Sequence, residues 1–101
     1  MSSQLLFVVT LTYRVPLEQI DAALAEHAEW LDRQYADGVF VLSGRRVPRT
    51  GGLIIATNTT ADDLDRRLDA DPFRVRGYAE YTVVAVQPTR AVGAWEPFAA
   101  T

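Results

Sequence analysis

The stretch VFVLSGRRVPRTGGLIIAT, residues 39–57, lies at the centre of the chain and decides the fold. Val39 to Leu42 is short and apolar, as expected of a strand, and Leu53 to Thr57 has the same character. Between them, Ser43 to Thr50 (SGRRVPRT) predicts a loop, and Gly51-Gly52 leads into the second strand. Two strands joined directly by such a loop predict an antiparallel hairpin, so the fold depends on what flanks it.

A strand and a helix precede the hairpin. Leu5 to Arg14 (LLFVVTLTYR) is rich in β-branched and aromatic residues, which is typical of a strand. Apolar residues then recur at helical spacing from Leu17 to Ala36. Pro16 suits the first turn of that helix, and Asp37-Gly38 supplies a glycine stop.

A second helix and a fourth strand follow the hairpin. The helix is predicted from Ala61 to about Ala70, with capping residues just before it and Pro72 just after it. Tyr78 to Val86 (YAEYTVVAV) predicts a strand, and the tail from about residue 88 predicts irregular structure. The order is βαββαβ, an α+β fold with a four-stranded antiparallel sheet and both helices on one face. Without repeats or linkers, residues 1–101 are expected to form a single domain.

Both faces of this sheet are apolar, although two helices cover only one of them. In the first strand, one side carries Leu5, Phe7, Val9, Leu11 and Tyr13 and the other carries Leu6 and Val8; in the last strand, one side carries Tyr81, Val83 and Ala85 and the other carries Tyr78, Val84 and Val86. Because large exposed apolar surfaces mark interaction sites, we expect a homodimer through this sheet face, with Trp95 and Phe98 of the tail packing on the partner. A monomer with its tail folded over the sheet is the alternative.

Composition excludes several classes of protein. Ten Arg and no Lys against thirteen acidic residues give a formal charge of −3, which argues against a nucleic-acid partner. No cysteine and a single histidine exclude disulfides, thiolate nucleophiles and multi-histidine metal sites, so we expect neither metal nor cofactor. No apolar run approaches the length of a membrane span, and no targeting segment is visible. A cytoplasmic protein is expected.

Three features could carry chemistry. His27, the only residue whose ordinary pKa lies near neutrality, falls on the apolar side of the first helix; spacing alone favours a histidine satisfied at the edge of the core. Asp71 lies at the end of the second helix, where the helix dipole disfavours a carboxylate, although Arg66, Arg67 and Arg74 are near enough in sequence to offset this. Asp71-Pro72 either starts a turn, which is a purely structural role, or places the carboxylate against a partner such as an imidazole. In the loop, Arg45, Arg46 and Arg49 either clamp an anionic substrate group or stay solvated.

Taken together, these residues resemble the YciI-like (YCII-related) family along almost the whole chain. The resemblance is carried by the helical His27, by the loop SGRRVPRTGG and by Asp71-Pro72-Phe73. It implies a ferredoxin-like subunit in a dimeric α/β barrel, with a His/Asp pair at His27 and Asp71. Leu24 and Arg45 depart from the family pattern, since many members have an arginine and a proline there.

With the resemblance, the residues indicate a small cofactor-independent enzyme. His27 would move a proton on a small organic substrate, and Asp71 would hold the imidazole in one tautomer and favour its protonated form. Ser43, Arg45, Arg46, Arg49 and Phe73 are the predicted substrate-binding residues. The reactions that suit such a pair are isomerisation, dehydrohalogenation and other eliminations. The alternatives are a non-catalytic small-molecule-binding or accessory domain, and haem binding through His27.

Overall fold

A computed structural model describes residues 5–98. Four strands, four α-helices and one short 3₁₀ helix occur in this range: β1 (Leu6–Tyr13), α1 (Leu17–Ala22), α2 (Leu24–Ala36), β2 (Phe40–Arg45), β3 (Gly51–Ala56), α3 (Ala61–Asp69), α4 (Pro72–Val75), β4 (Ala79–Val86) and the 3₁₀ helix Gly93–Phe98. The predicted βαββαβ order and the α+β class are confirmed. Among the described residues, no helix is long and apolar enough to span a membrane.

The strands form one antiparallel sheet in the order β2-β3-β1-β4. Central β1 pairs with both β3 and β4, so that Val9 lies opposite Ile54 on one side and Val83 on the other. Alternate residues of β1 are buried under the helices, because side chains of a strand point to opposite faces in turn. The core therefore lies between one face of the sheet and the helical layer, and its fully buried members include Val9, Trp30 and Phe73.

The single predicted helix over 17–36 is divided at Ala23. The Ala23 N–H donates to the carbonyl of Ile20 at 3.1 Å, three residues back, which tightens the chain into a 3₁₀-type turn between α1 and α2. Ile20 and Ala23 are both completely buried, so the break lies on the core side. Neither glycine nor proline marks this position, and the periodicity of apolar residues therefore does not reveal it.

The hairpin strands extend further into the predicted loop than expected. Ser43 to Arg45 belong to β2 and pair with β3, and Gly51 already belongs to β3, so the connecting loop shrinks to residues 46–50. The polar sequence Ser-Gly-Arg suggests a loop, but strand pairing uses backbone groups that every residue except proline carries. A bulge between Phe40 and Leu42 then shifts the alternation, so that Phe40, Ser43 and Arg45 all face the helices.

Position 51 has no room for any side chain and therefore requires glycine. A Cβ at this site would lie 1.8 Å from the carbonyl oxygen of Leu11, because β1 and β3 approach closely there. The two strands are close at Leu11 of β1 and Gly52 of β3, which pair with each other. Both residues line the cavity described below.

The α-helices of the described chain pack on one face of the sheet, and the opposite face lies away from them. We call it the open face and define it by Leu42, Ile55, Val8, Val84 and Val86, which the strand register places side by side. Leu42 is 47% exposed and Val84 is 53% exposed, so this apolar surface is left largely uncovered by the described chain. The side chain of Phe98, which was expected to pack on a partner, lies outside the described side chains.

Candidate active site

His27 and Asp71 form a hydrogen-bonded pair. His27 lies in the middle of α2 and Asp71 immediately precedes α4, and their Nδ1 and Oδ1 atoms are 2.8 Å apart. The predicted contact between the two side chains is confirmed. It forms because both helices cover the same sheet face, which brings the end of one against the middle of the other.

Asp71 is completely buried, and both of its oxygens have donors. Oδ1 accepts from the ring of His27 and from the backbone N–H of Phe73, at 3.1 Å, while Oδ2 accepts from the hydroxyl of Tyr81. A buried carboxylate without such donors would cost several kcal/mol. Asp71 follows the end of α3, as predicted, but it is also the N-cap of α4, and its carboxylate accepts from the backbone N–H of Phe73 there.

The imidazole of His27 makes stacking contacts with two aromatic rings. It stacks on Phe73 with a centroid separation of 4.1 Å and an angle of 9°, and on Trp30 at 5.6 Å and 30°. Its side chain is 12% exposed. Because Asp71 occupies Nδ1, and Nε2 has no hydrogen-bond partner among residues 5–98, Nε2 is the ring nitrogen left to exchange a proton with a ligand.

His27 lines a cavity of about 200 Å³ between α2, α4 and the sheet. Most of the wall is apolar and includes Leu11, Leu24, Leu31 and Phe73. Its polar side chains, besides His27, are those of Tyr13 on β1 and of Ser43 and Arg45, which follow the β2 bulge and face the helices. Ser43 is also tied to α2, since its Oγ lies 2.7 Å from the hydroxyl of Tyr35.

The structure divides the predicted substrate-binding residues into two groups. Ser43, Arg45 and Phe73 line the cavity together with His27. Arg46 and Arg49 do not: Arg46 donates to the hydroxyl of Thr12 at 3.3 Å, and Arg49 forms an ion pair with Asp21. The Arg49 guanidinium hydrogen-bonds Asp21 and lowers the pKa of that carboxyl.

Tyr81 is the site residue that sequence reasoning missed. The alternation of β4 places it on the helix face opposite Leu11, but nothing in the sequence connects its hydroxyl with Asp71. Burial, followed by the negative charge of Asp71, raises the pKa of Tyr81 well above its ordinary value. The Arg74 guanidinium lies over the same ring, 5.2 Å from its centroid.

The described residues were also compared with the requirements of a metal site. Among them, no group of three or more His, Asp or Glu side chains is placed to hold a metal ion.

Comparison with known proteins gives a family and a fold. The profile of the YCII-related domain matches residues 6–87, and no curated protein matches the chain. The solved structure of 5-chloro-2-hydroxyhydroquinone dehydrochlorinase from Burkholderia phenoliruptrix AC1100, in complex with 2,5-dihydroxybenzoquinone, is similar at a TM-score of 0.71 and 19% identity. The similarity covers 82% of this chain and 94% of that one.

A second similar structure is SnoaB, a cofactor-independent oxygenase from Streptomyces nogalater, with a TM-score of 0.53 and 19% identity over 90% of this chain and 98% of that one. At these identities the likeness concerns the fold.

Proposed function

The chain belongs to the YCII-related domain family, and on that premise we propose that it is a small enzyme that moves a proton on a single-ring organic substrate. The observation that carries the proposal is the hydrogen bond from His27 Nδ1 to the buried Asp71, which leaves Nε2 as the available nitrogen of a residue that lines an apolar cavity. A histidine oriented in this way by a carboxylate can act as a general base and then as a general acid.

In the forward step, Nε2 of His27 accepts a proton from a carbon or oxygen atom of the substrate. The ring becomes an imidazolium, and the carboxylate of Asp71 stabilises its positive charge. In an isomerisation the proton returns to another atom of the substrate. In an elimination, the electron pair of the broken C–H bond forms a double bond as the leaving group departs with its own pair. Both reactions balance without a redox partner.

The size and polarity of the cavity support a single substituted ring as the substrate. A cavity of about 150 Å³ admits benzene, and this one measures about 200 Å³. That volume is too small for a porphyrin, which argues against haem as its occupant. Arg45 and Ser43 provide one cationic and one hydroxyl group for an anionic oxygen on the ring. The similar dehydrochlorinase, which was solved with a dihydroxybenzoquinone, supports the same class of ligand for this chain.

The proposal is tested by measuring turnover by the protein and by variants of its candidate catalytic residues. We would offer the protein a set of hydroxylated, halogenated and carboxylated single-ring compounds and follow their spectra. We expect His27→Gln to lower the rate by roughly 10²–10⁴-fold, and Asp71→Asn to lower it as well. Asp32→Asn removes an exposed charge from the same helix as His27 and serves as the matched control.

Two results would contradict the proposal. One is turnover that His27→Gln leaves unchanged. The other is tight binding of such compounds without conversion, with an affinity that survives His27→Gln; this result would establish the non-catalytic binding domain instead. The role of Arg45 in anchoring the substrate is tested with Arg45→Gln, and Arg33→Gln on α2 is the control. We expect Arg45→Gln to raise KM more than it lowers kcat.

We also propose that the open face of the sheet is the interface of a homodimer. Support comes from its exposed Leu42 on β2 and its exposed Val84 and Val86 on β4, so apolar side chains are exposed at both edges of the sheet. A second copy of the chain would bury these side chains on both partners at once, as a two-fold axis requires. One domain per chain and a location in the cytoplasm stay predictions of the sequence.

A further inference from the structure

Tyr81 contacts the half of Asp71 that His27 does not use. Its ring projects from β4 under the helices, opposite Leu11 of β1, and its hydroxyl hydrogen-bonds Oδ2 of Asp71. Oδ1 already accepts from His27 and from the N–H of Phe73. In the described part of the chain, Tyr81 is therefore the single donor to Oδ2.

This arrangement makes the orientation of the carboxylate depend on Tyr81. Asp71 is 0% exposed, so Oδ2 has no access to bulk water that could replace a missing donor. Without the phenol, Oδ2 would be buried without a donor, and the carboxylate would rotate toward another one. That rotation withdraws Oδ1 from the N–H of His27, because a rotated carboxylate no longer faces Nδ1.

The hydroxyl of Tyr81 acts as a permanent hydrogen-bond donor and does not carry protons. Burial and the charge of Asp71 raise the pKa of Tyr81, so the hydroxyl keeps its proton at any physiological pH. The guanidinium of Arg74 lies over its ring, 5.2 Å from the ring centroid. The Nε atom of Arg74 is in turn 3.4 Å from Oδ1 of Asp69 at the end of α3.

We propose that Tyr81 is a positioning residue of the His27–Asp71 pair. By donating to Oδ2 it keeps the carboxylate of Asp71 turned toward His27, and so holds the imidazole in the Nδ1–H tautomer with Nε2 bare. The consequence for catalysis rests on the proposed function, whereas the effect on the tautomer does not and can be measured without a substrate.

The test is the ring ¹⁵N NMR spectrum of His27, recorded at a pH where the imidazole is neutral. Because the chain has one histidine, its signals need no assignment among competitors. We expect the unaltered protein to give a protonated Nδ1 and an unprotonated Nε2. Tyr81→Phe should convert a substantial fraction of the molecules to the Nε2–H tautomer. Tyr78→Phe, which removes a hydroxyl from a residue outside the cavity lining, should leave the spectrum unchanged.

A spectrum of Tyr81→Phe identical with that of the unaltered protein would overturn the proposal. If the variant does not fold, the hydroxyl proton of Tyr81 in the unaltered protein provides the second measurement. We expect its exchange with water to be slow, and rapid exchange would contradict the hydrogen bond on which the proposal depends. A tautomer shift in Tyr81→Phe together with no turnover of any compound would leave Tyr81 in its role and refute the enzyme alone.

Discussion

Asp71 illustrates how far a single residue can be interpreted before its surroundings are known. Its pairing with His27 was predictable because the resemblance to the YciI-like family relates the two positions. Its electrostatic setting was not, because the four-residue helix that it caps, Pro72–Val75, is too short to give a periodic signal. Tyr81 was not predictable as a site residue, since a hydrogen bond between β4 and the start of α4 depends on tertiary packing.

At the same scale, Tyr81 predicts how stability changes in alkali. Its pKa is raised in the folded protein from an ordinary value of 10.0. Above that pH the unfolded chain loses the phenol proton and the folded chain keeps it, so the free energy of unfolding falls as pH rises. The contribution of one such group is up to about 1.4 kcal/mol per pH unit. Urea denaturation between about pH 9 and 11 should show a smaller decline in Tyr81→Phe than in the unaltered protein; equal declines would contradict the prediction.

Among the elements, the hairpin of β2 and β3 departs most from the prediction. The strands were predicted from apolar residues, but the polar end of β2 is held by backbone pairing with β3, and a bulge decides which side chains face the cavity. Neither effect leaves a residue-type signal. Yet they place Ser43 and Arg45 beside His27 and leave Arg46 and Arg49 elsewhere, so the substrate-binding prediction was coarser than the loop sequence implied.

Because β1 and β3 lie so close together, we expect that adding one methyl group at Gly51 strongly lowers the stability of the fold. Gly51→Ala would place a Cβ 1.8 Å from the carbonyl oxygen of Leu11, and backbone atoms cannot move aside as the end of a side chain can. We expect the free energy of unfolding to fall by about 2 kcal/mol or more. Gly44→Ala is the matched control, because nothing lies within 4 Å of its added Cβ. Urea denaturation that gave both variants the same stability would refute the close approach.

Across the whole molecule, the order of elements follows from the alternation of periods two and 3.6, and this part of the prediction is confirmed. The same alternation reveals an apolar face that the helices do not cover. What the chain alone does not reveal is the substrate, because about 200 Å³ of mainly apolar space with one arginine accepts many single-ring compounds.

A charge placed on the open face should separate the two subunits. We expect the unaltered protein to sediment as a dimer at micromolar concentration, and Val84→Glu to sediment as a monomer, because the carboxylate would be buried without a partner. Val47→Glu places the same charge at a residue that is 97% exposed in the hairpin loop, and it should remain dimeric. A stable monomer of the unaltered protein would contradict the interface.

The most direct test of the central claim is to determine which ring nitrogen of His27 carries the proton. In the ¹⁵N spectrum of the neutral imidazole, the bond to Asp71 predicts a protonated Nδ1 and a bare Nε2, and Asp71→Asn should abolish this preference. A proton on Nε2 in the unaltered protein would mean that the nitrogen at the cavity cannot act as a base. That result would contradict the proposed mechanism.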